Sequence, residues 1–398
     1  MLEFDEAQAA LLRLARSLGS ERIATRDADR RWLAATVVAW ADLPAFDYST
    51  MDGYAVDPRD VESGTALPVA FESRTGMVPP PLAPKTTMRI FTGAPLPEGA
   101  AAVVPQEDVT READRVTFAR KPKPSAFVRR RGDDRRQGDV VLAKGAFLGP
   151  AQLALIASVD MGAVEVAKKP KVTVLATGDE LRDPGSPFAP GTIPDSNGAS
   201  LAALFARAPS DVRVAPRVRD DVGETERGIR AALEGTDLLV VVGGMSVGDH
   251  DLVRGALATC GVTIEFFRVA IKPGKPIAVG KAENGALVIG LPGNPASALV
   301  TGALFVVPLL RAMQGAERPF PAPYRAALAK AITREPGRLE FIRAVRRDDG
   351  TVEPLAHQAS GAAWNVAIAT HLVMVPKERA TMEAGELALV LPFSELGL

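Results

Sequence analysis

Apolar residues recur at helical spacing from Glu6 to about Gly19, through Ala10, Leu11, Leu14 and Leu18, and the run stops at a glycine. A second helix is expected over Leu33 to Ala39. From Pro44 to about Gly132 the texture changes to short apolar runs (Leu67 to Phe71, Met88 to Phe91, Ala102 to Pro105, Arg115 to Phe118) broken by Pro and Gly clusters. That pattern predicts a separate β-rich domain. A helix over Pro150 to Val159 then returns to the first helical layer. The expected division is a discontinuous helical/mixed domain, 1–43 with 135–170, and an inserted β-rich domain, 44–134.

Beyond Lys171 the period alternates between strand and helix. Strands are expected at Val172 to Ala176, Val212 to Val218, Leu238 to Val242, Ile277 to Val279 and Leu287 to Ile289. Helices are expected at Asn197 to Arg207, Glu224 to Leu233, Asp251 to Thr259 and Ala296 to Met313. This order predicts a doubly wound α/β domain over 171–318, with ligands at the carboxyl ends of its strands. A proline-rich linker, Pro319 to Pro323, leads to strands at Leu339 to Val345, Leu372 to Val375 and Leu387 to Leu391. These fit a small C-terminal β-barrel over 319–398.

A chain of 398 residues is too long for one compact core, so a multi-domain α/β protein is expected. A net charge of −1 suggests neither nucleic acid nor an acidic membrane as partner. Cys260 is the only cysteine, which excludes an intrachain disulfide. At its expected helix end, a small core residue is the simpler reading than a nucleophile. His250, His357 and His371 lie far apart and have no zinc-ligand spacing. The acidic N-terminus does not resemble a signal peptide, and no apolar run approaches the ~20 residues that span a bilayer. A cytoplasmic protein is the expectation.

Candidate chemistry sits on loops just past predicted strands. Thr177-Gly178-Asp179-Glu180 offers backbone N–H groups to an anion and carboxylates to a metal, or is a β-turn with Asp179 as a helix cap. Gly243-Gly244-Met245-Ser246-Val247-Gly248-Asp249-His250-Asp251 lets the backbone approach a phosphate, with Asp249 and Asp251 spaced to bind Mg²⁺. The alternative is a tight turn with Asp251 as N-cap. Arg268, Lys272 and Lys275 lie on a loop stiffened by Pro273 and Pro276, an arrangement suited to an oxyanion. Pro292-Gly293-Asn294-Pro295 joins a strand to a helix N-terminus that favours negative charge, although Pro295 is also ordinary helix grammar. Asp52, in Ser49 to Val56, and Thr92, in Thr92 to Pro97, mark two further loops, and Asp52-Gly53 is equally an ordinary turn.

Together these motifs resemble the molybdopterin molybdenumtransferase family, whose eukaryotic relatives include the C-terminal domain of gephyrin. The resemblance runs from about Arg13 to Pro392. It rests on Ser49 to Val56, Thr92 to Pro97, Ser246 to Asp251, Lys272 to Pro276 and Pro292 to Pro295. It implies insertion of molybdate into adenylylated molybdopterin with release of AMP. It also implies an elongated homodimer whose active site lies between subunits, Asp52 and Thr92 of one facing the molybdopterin-binding α/β domain of the other. By position it implies the acidic residues Asp52, Asp134, Glu180, Asp220 and Asp251, the cations Arg268, Lys272 and Lys275, and Pro292 and Pro295 on the adenylate side. Mg²⁺ would be held by carboxylates among Glu180, Asp249 and Asp251. Molybdopterin adenylyltransferase and molybdoenzymes would be neighbours in the pathway.

The chain departs from the family pattern at Val242, Arg268 and Thr370-His371, which leaves a tungstate-inserting paralogue as an alternative. A molybdopterin adenylyltransferase usually lacks the β-rich half and the C-terminal barrel. A gephyrin-like scaffold would carry a second α/β domain and a long linker.

Overall fold

The computed structural model describes residues 1–244 and 252–398. The first helix, Phe4–Leu14, carries a capping box between Glu3 and Glu6 and buries Phe4, Ala7 and Leu11 on one face. Phe4 meets Phe305 and Phe341 edge-on at 5.7 and 5.1 Å. This helix therefore joins the α/β core and is not layered on the Pro150–Ser158 helix as expected. That later helix packs instead with Leu33, Val37, Val141 and Val166.

The helix expected over Leu33 to Ala39 does not form. Val37–Val38 pairs antiparallel with Val140–Leu142, and Leu33 bridges Val166. Thr36, Val37 and Val38 are consecutive β-branched residues, which favour a pleated surface over a helix. Ser20–Ala24 pairs with Ala163–Ala167, tying together segments far apart in sequence. The intervening chain builds a six-stranded sheet in the order Ala102–Pro105, Gly53–Val56, Thr87–Ile90, Ala66–Ser73, Arg115–Phe118, Val109–Glu112.

The α/β sheet runs Asp211–Val214, Lys171–Ala176, Leu238–Val242, Leu287–Leu291, Ala278–Ala282, Val262–Phe267. The first four strands are parallel; Ala278–Ala282 runs antiparallel to both of its neighbours, so Val262–Phe267 points the same way as the first four. Residue alternation sorts the two faces. Val172, Val174, Leu238 and Val240 pack with Leu201, Leu204 and Phe205, whereas Leu175, Leu239 and Val241 pack with Ile229, Val253 and Leu257. The chain leaves Lys171–Ala176 toward one side of the sheet and returns at Leu238–Val242 on the other. The gap between these two strand ends is thus the topological switch point.

Pro295–Met313 is a single 19-residue helix with a π-helical turn at Gly302–Val306. Contrary to the reading of the sequence, it is long and apolar enough to cross a membrane. However, 83% of its apolar window is buried inside the fold, where it serves as a core helix. The C-terminal strands form an open path, Ile271–Lys272, Leu339–Arg346, His371–Val375, Leu387–Pro392, Tyr324–Ala327, so the sheet is a half-barrel. Its first edge strand belongs to the cationic loop of the α/β region.

Candidate functional site

Four parallel strands end on the same side of the sheet, and their loops enclose a cavity of about 540 Å³. Thr177, Gly178, Glu180 and Leu181 follow the first strand, and Asp220 follows Asp211–Val214. Gly243 and Gly244 follow the central strand, and Pro292, Gly293, Asn294 and Pro295 complete the wall. Ile193, Asn197, Leu252 and Pro276 fill the remainder.

Backbone hydrogen bonds lock the loops together. Thr177 N–H donates to Val242 O at 2.9 Å, and Gly178 N–H to Val218 O at 3.2 Å. Gly243 N–H donates to Leu291 O at 3.3 Å. Gly243 has φ +97°, and a Cβ there would lie 2.5 Å from the Thr177 carbonyl oxygen, so only glycine allows the two loops to approach. At Gly178 a Cβ would lie 2.5 Å from Glu180 Oε2, which places that carboxylate directly over the glycine. Asp179 and Asp220 exchange weak contacts: Asp179 N–H to Asp220 Oδ2 at 3.4 Å, and Asp220 N–H to Asp179 Oδ1 at 3.3 Å. The two segments beside the cavity therefore brace each other.

The structure gathers Thr177, Gly178, Glu180, Asp220, Gly243, Gly244, Pro292, Gly293, Asn294 and Pro295 into one site. Ser246, Gly248, Asp249 and Asp251 lie outside the described residues, between Gly244 and Leu252, both of which line the cavity. Among the described residues no group of three or more His, Cys, Asp or Glu side chains is placed to hold a metal. Glu180 and Asp220 nevertheless bring two hard oxygen donors to the cavity, the ligand type that suits Mg²⁺.

The cationic loop departs from expectation, because only Pro276 of that loop lines the cavity. Lys272 Nζ pairs with Glu340 Oε1 at 3.0 Å, and Glu340, 4% exposed, also faces Arg334 at 3.5 Å. Parallel strand register sets Lys272 beside Glu340. Arg268 adopts φ +68° and lays its guanidinium 5.0 Å from the Phe267 ring centre. Lys275 is exposed, and its carbonyl accepts from both Val269 and Ile277 N–H at 3.1 Å. The helix N-terminus at Pro295 also differs from an open anion site. Its Ala296 N–H donates to Ser360 O at 3.1 Å, and Asn294 Nδ2 donates to Ser360 Oγ at 3.0 Å. The C-terminal domain thus caps that turn.

Asp52, Thr92 and Asp134 do not line the cavity. Thr92 donates to Asp52 Oδ1 through its N–H at 2.7 Å and its hydroxyl at 2.8 Å. These two bonds, the backbone one first, hold the Asp52 carboxyl below the usual carboxylate range. Asp134 is ion-paired with Arg129. Cys260 follows the Leu252–Thr259 helix, donates to Glu226 O at 3.5 Å, and has its thiol pushed up by burial, as suits a structural residue.

Sequence reasoning missed Asn197. It is 6% exposed and donates through Nδ2 to Gly293 O at 2.7 Å. The available signal was Asp195-Ser196-Asn197 ahead of a helix, which reads as capping grammar; indeed Asp195 Oδ1 accepts from the N–H groups of Asn197 and Gly198.

A crevice at the switch point of an open α/β sheet defines a small-molecule-binding protein of the doubly wound class. The MoeA N-terminal region (domain I and II) matches residues 2–160, the probable molybdopterin binding domain matches 173–312, and the MoeA C-terminal region (domain IV) matches 325–393. The chain is 37% identical to molybdopterin molybdenumtransferase of Haemophilus influenzae over 100% of both chains. It is 35% identical to molybdopterin molybdenumtransferase 2 of Mycobacterium tuberculosis over 89% of this chain and 90% of that one. The crystal structure of the molybdopterin biosynthesis moeA protein from Pyrococcus horikoshii OT3 superposes with a TM-score of 0.85 at 26% identity, covering 98% of this chain and 100% of that one. The chain belongs to the molybdopterin molybdenumtransferase family and is a transferase of molybdenum cofactor biosynthesis.

Proposed function

We propose that this transferase inserts molybdate into adenylylated molybdopterin in a Mg²⁺-dependent reaction that releases AMP, and that it works as a cytoplasmic homodimer. The observation that carries the reading is the convergence of Glu180 and Asp220 with the glycine and proline loops on one cavity at the strand ends.

The Gly243-Gly244 turn and the Pro292 to Pro295 loop bring backbone close to the adenylate and pterin phosphates. Glu180 and Asp220, with Asp249 and Asp251, would hold Mg²⁺, whose charge offsets that of the phosphoanhydride when bound. No side chain becomes covalently attached. Water attacks the adenylate phosphorus, directly or after a molybdate oxygen has formed an adenylyl–molybdate anhydride that water then cleaves. The P–O bond to the molybdopterin phosphate breaks, AMP departs and molybdopterin keeps its phosphate, while the two dithiolene sulfurs replace oxygen on molybdate, which leaves as water. Positioning and electrostatics account for the rate. Lys272 turns from Glu340 toward the oxyanion, and Arg334 keeps the buried Glu340 carboxylate paired when it does. Asp52 and Thr92 of one subunit face the α/β cavity of the other, and Asp134 and Lys275 lie at the rim. A molybdopterin adenylyltransferase supplies the substrate, and molybdoenzymes receive the product.

The test is incubation of purified protein with adenylylated molybdopterin, Mg²⁺ and either molybdate or tungstate, following AMP. Oxyanion-dependent AMP release is expected. Release with tungstate alone would select the paralogue reading, and release with neither would refute both.

A further inference from the structure

Asn197 lines the cavity, and its carboxamide has two chemically distinct ends. Nδ2 can only donate, and it donates to Gly293 O at 2.7 Å. That bond fixes the orientation, since turning the amide over would set two oxygens against each other. Oδ1 can only accept, and it is buried without a hydrogen-bond partner among the described residues. Thr177, 3% exposed, brings a second buried oxygen without a partner, Oγ1, to the same cavity. A buried acceptor left unpaired is unfavourable until a donor reaches it. Phosphate and metal oxyanions at neutral pH have few or no hydrogens to offer it. The missing partner is therefore a different part of the ligand, one that bears a donor hydrogen.

We propose that Asn197 is a specificity-determining residue whose Oδ1 accepts a hydrogen bond from the exocyclic amine of the substrate's nitrogen heterocycle. The inference rests on the proposed substrate, adenylylated molybdopterin, in which both the pterin and the adenine carry such an amine. The bond to Gly293 O orients the carboxamide and leaves Oδ1 to read the heterocycle.

The test is calorimetric binding to the full chain and to Asn197→Ala, using ligand pairs that differ by the amine. AMP is compared with purine riboside 5′-monophosphate, and 6-carboxypterin with 6-carboxylumazine; pyrophosphate and Mg²⁺ are controls. In the wild type, removing the amine should weaken one pair about tenfold, which identifies the ring at Asn197. In Asn197→Ala the same removal should have no effect, and both controls should bind as in the wild type. Equal amine effects in both proteins, or none in the wild type, would overturn the proposal. So would weakened pyrophosphate or Mg²⁺ binding in a folded variant, because Asn197 would then act through the Gly293 loop or as a cation ligand. Should Asn197→Ala lose its circular dichroism signature, Asn197→Leu, which keeps the side-chain volume and removes the acceptor, takes its place, and removal of the amine should again have no effect. Oxyanion-dependent AMP release by the wild type stands apart and reports on the substrate reading itself.

Discussion

The cavity at the strand ends and the Asp52–Thr92 corner are built from similar residues, yet they are in different chemical states. In the cavity, Glu180 and Asp220 sit on loops that four parallel strands deliver to one side, and buried oxygens of Thr177 and Asn197 remain without partners among the described residues. At the corner, Asp52 accepts twice from Thr92 and the turn satisfies itself. A carboxylate on a loop is thus not by itself a site. Convergence set by sheet topology leaves groups free for a ligand, whereas a local turn consumes them. Asp52 needs a second surface before it can act on a substrate, which is why its proposed role depends on the dimer.

The most direct way to break this comparison is to perturb the cavity, the ion pair that holds Lys272 and the Asp52–Thr92 corner in turn. Glu180→Ala should lower oxyanion-dependent AMP release by roughly 10²–10³-fold, with stability changed by less than about 0.5 kcal/mol, because the residue is exposed. An unchanged rate would mean that convergence does not mark the chemistry. Glu340→Gln removes the buried partner of Lys272 and Arg334 and should cost about 3 kcal/mol in chemical denaturation, as expected for an uncompensated buried cation. Gly243→Ala should cost about 2 kcal/mol by the same measurement, since a side chain would collide with the Thr177 carbonyl in a left-handed conformation. At the corner, Thr92→Val should do least. It removes one of two bonds to Asp52, so the carboxyl pKa should rise partway toward its ordinary value in an NMR titration. Because folding depresses this pKa, its stabilising contribution is present above the ordinary carboxylate range and fades as pH falls through the folded value. The variant should therefore have a shallower acid limb.

Much of the α/β fold was legible because its signals are local. Leu238–Val242 is a continuous apolar run, and Asn197–Arg207 shows its buried face at helical spacing. The reversed direction of Ala278–Ala282, antiparallel to both of its neighbours, was not legible, since side-chain alternation is the same for either strand direction. The Leu33 to Ala39 segment misled because its apolar residues suit either period and only the partner at Val140–Leu142 decides. Glycine and proline marked the cavity loops well, because such loops demand unusual backbone. Charge marked the cationic loop but not the partner that Lys272 has in the fold. Three cations in one short stretch suggested a shared anion, but Lys272 already has Glu340, a residue far away in sequence. Asp220 was implied by resemblance alone, its position before a helix being equally that of a cap.

Ile271–Lys272 is an edge strand of the C-terminal half-barrel although it arises within the α/β region. A chimera that exchanges the C-terminal half-barrel at the Pro319 linker would therefore graft a foreign sheet onto a native edge. Segment 268–276 and the half-barrel are better treated as one module, transplanted and allowed to diverge together.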